Sequence, residues 1–186
     1  MRKLTAGIAL AICGLGAAPS AILGTGAALA QSESAGSIYG ELKQAALTEA
    51  QIKQYLAAQK DMEAVLGDAP ADAGDKPDPK IVARLEAAAK KYHFASYDDF
   101  NAVAGNIALV LDGVDPKTKK YVGAEVVLKQ TIAETQADAK LTEADKKETL
   151  AELNDELKAV TPVKFPANID LVLKYYDALA GAEQNR

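Results

Sequence analysis

The chain has 186 residues, with 26 acidic against 21 basic side chains and a formal net charge of −5. This acidic balance argues against binding to nucleic acid, which selects basic surface patches, and against electrostatic binding to anionic lipids. A single histidine and a single cysteine leave too few ligands for a zinc site of the usual composition.

Residues 1–30 have the pattern of a secretory signal peptide. A basic start at residues 2–3 is followed by an uncharged, largely apolar segment. The small residues Ala28 and Ala30 match a small-x-small cleavage signal. We therefore predict cleavage between Ala30 and Gln31 and a periplasmic or secreted location.

Two alternatives to cleavage stay open. The uncharged segment 4–30 is long enough to remain as a membrane anchor, although Pro19 and several glycines interrupt it. Lipidation of Cys13 is the other alternative, although Ile12 stands where a lipoprotein box has a small residue. Cleavage would remove the only cysteine, so that no disulfide could form within the chain, and would change the formal charge from −5 to −7 by removing two basic residues.

The first residues of the mature chain are predicted to form a lead-in and a short helix. Residues 31–36 are small and polar, and we predict a disordered lead-in. Ile38, Leu42 and Ala45 then have the spacing of a short helix. Residues 37–186 are long enough to bury a core as one domain without disulfides.

The clearest helix start lies at residues 47–52. Thr48 and Gln51 form a capping box, and Leu47 and Ile52 are placed for a hydrophobic staple. The helix is predicted to end at Gly67. Its apolar stripe consists of Ile52, Tyr55, Leu56, Met62, Val65 and Leu66.

A flexible surface loop is predicted at residues 67–78, which are rich in proline, glycine and aspartate. Asp78 and Pro79 are then typical of the N-cap and first residue of a second helix. The apolar stripe of that helix consists of Val82, Leu85, Ala89 and Tyr92.

The stretch from Phe94 to Leu111 is predicted to contain the central helix, over about residues 97–111. Ser96 is a candidate N-cap, and Asp99 stands where it could complete a capping box. Because this helix is apolar on nearly every face, other elements must enclose it. It is too short to cross a bilayer.

Three further helices are predicted, over about 116–138, from about 141 to 160 with leucines at helical spacing, and over about 167–179. No segment alternates as a strand does. The predicted fold is therefore all-α, a compact bundle of about six helices around the central apolar helix. Tyr55, Tyr92 and Tyr176 fall on apolar stripes and are expected in the core, although a tyrosine-lined pocket stays open as an alternative.

His93 is the only histidine, so any histidine-based catalysis or metal binding must involve it. It follows a predicted helix at the position that usually adopts the left-handed backbone conformation, and histidine tolerates positive φ better than most residues. We interpret His93 as a helix terminator. A role as ligand or general base is the alternative.

Two pairs of carboxylates are candidates for acid–base chemistry, Asp98 with Asp99 and Asp112 with Asp115. The first pair falls in a first helical turn, where the helix dipole stabilises acids. The second flanks a glycine turn, and its spacing does not match a calcium loop. We therefore expect no catalytic residue, cofactor or metal ion, and keep His93, Asp112 and Asp115 as the candidates for any site.

Two segments, 47–51 (LTEAQ) and 141–145 (LTEAD), resemble each other. The first resembles the LTxxQ signature of Spy-like periplasmic chaperones, exported all-helical proteins that often carry it twice. The second copy has Asp145 in place of the glutamine. The similarity is explained either by a gene duplication or by two helices that begin with the same type of capping box.

A second resemblance concerns the segment 91–100 (KYHFASYDDF). It is similar to helix–turn–helix segments in uncharacterised exported proteins of Gram-negative bacteria, where glycine commonly occupies the position of His93. This resemblance implies an exported helical protein and no particular activity.

These patterns predict a non-catalytic binding or protein-interaction module. A Spy-like, ATP-independent chaperone is the alternative, and an enzyme that uses carboxylates is a third. The expected partners are other periplasmic proteins or a small apolar ligand. We expect no nucleic acid and no integral membrane segment after signal cleavage.

Overall fold

The computed structural model describes residues 42–68 and 78–183. The predictions for the signal peptide, for the lead-in at 31–36 and for most of the loop at 67–78 lie outside these residues. Within them, no helix is both long and apolar enough to span a membrane.

The described residues form seven α-helices and one two-stranded antiparallel sheet. In chain order these are α1 (Glu49–Gly67), α2 (Pro79–Lys91), α3 (Tyr97–Leu111), β1 (Val114–Asp115), β2 (Lys120–Tyr121), α4 (Ala124–Ala137), α5 (Glu143–Lys158), α6 (Ala167–Lys174) and α7 (Tyr176–Glu183). The all-α prediction is confirmed, and the central helix has the predicted bounds.

The core lies around α3, which contacts α1, α2 and α6. Phe100 stacks on Tyr55 with 5.3 Å between ring centroids and meets Phe94 edge-on at 5.3 Å. The largest fully buried side chains are Ile52, Ile107, Val110, Val172 and Leu179. Burying side chains of this size stabilises the fold by about 1.5–3 kcal/mol each, so the helices that carry them, α1, α3, α6 and α7, hold one another in place.

The predicted helix starts are confirmed at α1 and α2. The Thr48 hydroxyl accepts the Gln51 backbone N–H at 3.2 Å, and the Gln51 side chain accepts the Thr48 N–H at 2.9 Å. Asp78 caps α2, with Pro79 as its first residue.

At α3 the cap differs from the prediction in one detail. Ser96 accepts the Asp99 N–H at 3.1 Å, as expected. In a capping box the Asp99 carboxylate would accept the N–H of the N-cap, Ser96. It accepts instead the N–H of Ala95, one residue earlier, at 3.1 Å.

The short helix predicted from Ile38 to Ala45 is wrong over its described part. Residues 42–48 are not helical, and residues 38–41 lie outside the description. Side-chain amides from α3 and α6 bond the backbone of this segment instead. We call residues 42–48 the strap.

The helix predicted over 116–138 begins only at Ala124. The residues before it form a β-hairpin, in which Val114 pairs with Tyr121. Lys119 and Gly123 have φ of 55° and 94°, values that a right-handed helix does not contain. A Cβ on Gly113 would collide with the ring of Tyr121, so glycine is required for this close approach.

Three smaller predictions also need correction. The segment predicted as the last helix forms two helices, α6 and α7, because the helix is interrupted at Tyr175. Leu66 and Val82, assigned to apolar stripes, are 50% and 42% exposed. Leu66 lies in the last turn of α1 and Val82 in the first turn of α2.

Candidate functional site

His93 ends α2 in the left-handed conformation, with φ 67°. Its N–H donates to the carbonyl of Lys90, and the N–H of Phe94 donates to that of Ala89, both at 3.1 Å. This is a Schellman motif with a buried aromatic residue after the turn. The interpretation of His93 as a helix terminator is confirmed, and its side chain is exposed.

The second carboxylate pair belongs to the turn after α3. Asp112 is the C-cap of α3 and is exposed. Asp115 accepts the backbone N–H of Lys117 at 2.8 Å and of Thr118 at 3.4 Å. These N–H groups hold the pKa of Asp115 below its usual value, so this carboxylate stabilises the hairpin turn.

The three candidate residues do not form one site. His93 precedes α3 and Asp112 follows it, so about 22 Å of helix separates them. In the described ranges no group of three or more potential metal-ligating side chains comes together.

The structure reveals a different polar arrangement between α3 and α6. The Asn106 carboxamide accepts the N–H of Ala45 at 2.9 Å and donates to the carbonyl of Lys43 at 3.3 Å. It also donates to Ala102 of its own helix at 2.8 Å, which fixes its orientation. Asn106 is 3% exposed, so its hydrogen bonds are made away from water.

Asn168 on α6 repeats the arrangement two residues further along the strap. Its carboxamide accepts the N–H of Leu47 at 2.8 Å and donates to the carbonyl of Ala45 at 2.9 Å. It too is 3% exposed. We call Asn106 and Asn168 the amide clamp.

The strap contributes one amide of its own. The Gln44 side chain donates to the carbonyl of Pro162 at 2.9 Å and accepts the N–H of Lys164 at 2.7 Å. The strap is therefore tied to α3, to α6 and to the connection before α6.

Sequence reasoning missed the amide clamp. The available signal was a buried asparagine within an otherwise apolar helix, because a polar side chain in that position needs a hydrogen-bonding partner. The partner itself is 61 residues away in the chain, and no local pattern identifies it.

The second unexpected feature is the helical hairpin formed by α4 and α5. Its helices contact mainly each other, and none of its apolar side chains belongs to the core or packs against it. We call residues 124–158 the arm. Only Thr135 of the arm is buried, and α5 has no buried residue over 16 positions.

The apolar residues of the arm form a seam between its two helices. On α5 they recur at spacings of three and four, as in a coiled coil, and on α4 at spacings of one and four. They are Val127, Leu128 and Ile132 on α4, and Leu150, Leu153 and Leu157 on α5, all of them half-buried. Val122, two residues before the arm, and Val126, in its first turn, are 38% and 43% exposed.

The solvent side of α5 is acidic. Four carboxylates follow one another at spacings of three and four, and therefore share one helix face. They are Asp145, Glu148, Glu152 and Asp155, and all four residues are exposed.

Where the arm meets α3, carboxylates are close to each other. Partial burial raises the pKa of Glu156, and the negative charges of Asp112 and Glu152 raise it further. The charged form of Glu156 is therefore disfavoured at this place.

A carboxylate whose pKa is lowered, and not raised, joins α1 to α6. Glu49 accepts hydrogen bonds from the Tyr175 hydroxyl at 2.5 Å and from the Lys174 ammonium at 3.1 Å, and it pairs with Lys53 at 3.0 Å. These partners lower the pKa of Glu49 to about 2.

Comparison with models of known protein families, with curated protein sequences and with solved structures finds no match.

Proposed function

We propose that this chain is an exported protein that acts by binding other proteins, and that the arm is its contact element. Export rests on the predicted signal peptide. The observation that supports the contact role is that the apolar residues of the arm lie outside the core, with no residue of α5 buried.

The physical reason is incomplete burial. Two helices cover only part of each other's apolar stripe, whereas a third helix or an apolar partner surface would cover the seam on its open side. Apolar area removed from water stabilises a complex by roughly 25 cal/mol per Å². A helix laid along a groove between two others is a common mode of peptide recognition.

A photo-crosslinking experiment tests this function in the producing cell. A crosslinking amino acid placed at Val126 should capture a partner protein. Val82 on α2 is the matched control, because it is also a valine and is 42% exposed against 43% for Val126. Capture at Val126 but not at Val82 is the expected result.

Two outcomes would contradict the proposal. Equal capture at both positions would mean that general exposure, and not the arm, determines contact. Absence of any crosslink from the arm, with positions along both helices sampled, would leave the arm without a binding role.

A Spy-like chaperone is the second candidate, and the open apolar seam of the arm favours it. The assay is suppression of aggregation of an unfolded client protein at a one-to-one ratio. Suppression that is lost in Leu153→Asp would support this function. No suppression by the wild-type chain would remove it and leave binding to a folded partner.

A further inference from the structure

We propose that the arm binds an acidic amphipathic helix of its partner protein, and that Lys146 pairs with a carboxylate of that helix. This inference rests on the proposed function, because it names the chemistry of the partner that the arm contacts. Three observations support it: the position of Lys146 in the seam, the burial of its side chain and the groove beside it.

Lys146 occupies a seam position of α5. It precedes Leu150 by four residues, and Leu153 and Leu157 follow at spacings of three and four. These four side chains therefore lie on one face of the helix. A lysine in such an apolar series lowers the stability of a helix assembly and selects which helix can join it.

The ammonium group of Lys146 has a weak ionic partner within the arm. Its side chain is 17% exposed, whereas the side chains of the other described lysines in ion pairs are 59–75% exposed. Its carboxylate partner is Glu143, at 3.5 Å, and the Glu143 side chain is 94% exposed. An ion pair with a carboxylate so open to water contributes little, whereas a close carboxylate from a bound helix would form a charge-assisted hydrogen bond in a covered place.

A groove beside Lys146 opens at the free end of the arm, where α4 ends and α5 begins. It has a volume of about 480 Å³ and is lined by residues of both helices, Gln136 on α4 and Glu143, Lys146, Lys147 and Leu150 on α5. The groove therefore offers an apolar contact next to two ammonium groups. A helix that presents a leucine-sized residue beside carboxylates matches these groups.

The charges of α5 are separated around the helix. Lys146 and Lys147 lie about 120–140° around the helix axis from the middle of the row of four exposed carboxylates. An acidic partner is therefore attracted to the groove and repelled by the opposite face of α5. A basic partner would instead be drawn to the carboxylates, away from the leucines, so charge determines which helix reaches the seam.

A second copy of this chain is a poor occupant. The row of carboxylates on α5 is interleaved only with the small residues Ala144 and Ala151, and the leucines of α5 lie beside the same two lysines. Neither face combines a row of carboxylates with leucine-sized residues. A helix of a different protein is not limited in this way.

Fluorescence anisotropy with two labelled synthetic peptides tests the inference. Both peptides are amphipathic helices of about 18 residues with leucines at the same positions, spaced by three and four. They differ in the flanking positions, which are glutamate in one peptide and lysine in the other. We expect the chain purified from the cell that exports it to bind the glutamate peptide at least about tenfold more tightly than the lysine peptide.

Substitutions of Lys146 test its role. Lys146→Met keeps the length of the side chain and removes its charge, and we expect the preference for the glutamate peptide to fall to about threefold or less. Lys146→Arg keeps the charge and should retain the preference of the wild type. Lys90→Met is the matched control, because Lys90 also pairs with a glutamate of its own helix but lies on α2, outside the arm. Lys146→Gln is the second variant if methionine at this position prevents folding.

Several results would overturn the inference. These are equal binding of the two peptides, binding of neither by a chain of wild-type helix content, or a preference that Lys146→Met leaves unchanged. Dimers that are seen by light scattering and that dissociate in Lys146→Met would make a second copy the occupant. A partner crosslinked at Val126 would still stand under each of these results, so failure of this inference is distinguishable from failure of the proposed contact role.

Discussion

Asn106 and Asn168 are two polar side chains that determine the path of a segment with no regular structure of its own. Each makes paired hydrogen bonds to the strap and is almost completely buried. Because a buried amide without partners is destabilising, the asparagines and the strap depend on each other. The strap, which leads directly into α1, is therefore bonded to both α3 and α6.

Replacement of Asn168 by alanine should lower the free energy of unfolding by about 1–3 kcal/mol, since it removes two hydrogen bonds and leaves backbone groups of the strap partly unsatisfied. Urea denaturation followed by circular dichroism measures the change. Asn154→Ala is the control, because Asn154 is exposed and bonds only within α5. Equal losses of unfolding free energy in the two variants would show that the hydrogen bonds of Asn168 stabilise the fold no more than the exposed hydrogen bond of Asn154 does.

His93 has the backbone conformation that glycine adopts most easily. We expect His93→Gly to raise the free energy of unfolding by up to about 1 kcal/mol by relieving the strain of a side chain at positive φ. Thermal unfolding measures it. Ala87→Gly, at an exposed position inside α2, should instead lower stability by about 1 kcal/mol.

A loss of stability in His93→Gly would mean that interactions of the imidazole, or the greater backbone entropy of glycine in the unfolded chain, outweigh the backbone strain. The comparison with Ala87→Gly separates this outcome from a general effect of adding glycine to α2.

At the scale of elements, the core helices α1, α2, α3, α6 and α7 differ from the arm. The former share buried side chains from distant parts of the chain, whereas the arm relies on a seam between two consecutive helices. Regions with few buried apolar contacts open at lower free energy than the core. The arm is therefore the part of the described chain best suited to adapt to a partner.

Hydrogen exchange should show this difference directly. We expect backbone amides of α4 and α5 to exchange at least about tenfold faster than those of α1 and α3, because a local opening of the arm leaves the core intact. Exchange followed by mass spectrometry of peptides from each helix is sufficient. Uniform protection across all four helices would show that the arm unfolds only together with the core.

At the scale of the whole molecule, acid should weaken the link between the start of α1 and α6. The pKa of Glu49 is lowered from 4.5 to about 2 in the folded chain. A group with a lowered pKa contributes stability above its unfolded pKa and loses it as the pH falls toward the folded value. The contribution of Glu49 should therefore disappear between about pH 4.5 and 2.

Thermal unfolding of Glu49→Gln across this range tests the link. The variant should melt at a lower temperature than the wild type at pH 7, and the difference should vanish near pH 2. Glu148→Gln, which removes a charge from the exposed face of α5, is the control. A difference between Glu49→Gln and the wild type that stays constant down to pH 2 would mean that the ionised carboxylate is not the source of the stability.

Local chemistry was sufficient to predict much of the fold. Capping boxes, a proline at a first helical position and a glycine stop depend on neighbours within four residues, so the starts of α1 and α2 and the end of α1 could be derived from sequence. The bounds of α3 followed from its unbroken apolar pattern. The left-handed turn at His93 followed from its place between two helices.

Other features depended on residues far apart in the chain. The helix predicted at 116–138 starts late because the turn at Asp115, the positive φ at Lys119 and Gly123 and the packing of Tyr121 on Gly113 together favour a hairpin. The burial of an apolar stripe likewise depends on the elements that face it. The apolar stripes of α1 and α5 have similar helical spacing, but that of α1 is buried in the core and that of α5 is only half-buried.

The sequence by itself determined an acidic, all-helical chain, most of its helix boundaries and the shortage of zinc ligands, because these depend on composition and on contacts within a few residues. Only the tertiary structure decided that two asparagines hold the strap and that the arm lies outside the core. The reason is physical. A hydrogen bond between Asn168 and Ala45 joins atoms 123 residues apart, and whether such groups meet is decided by how the helices pack.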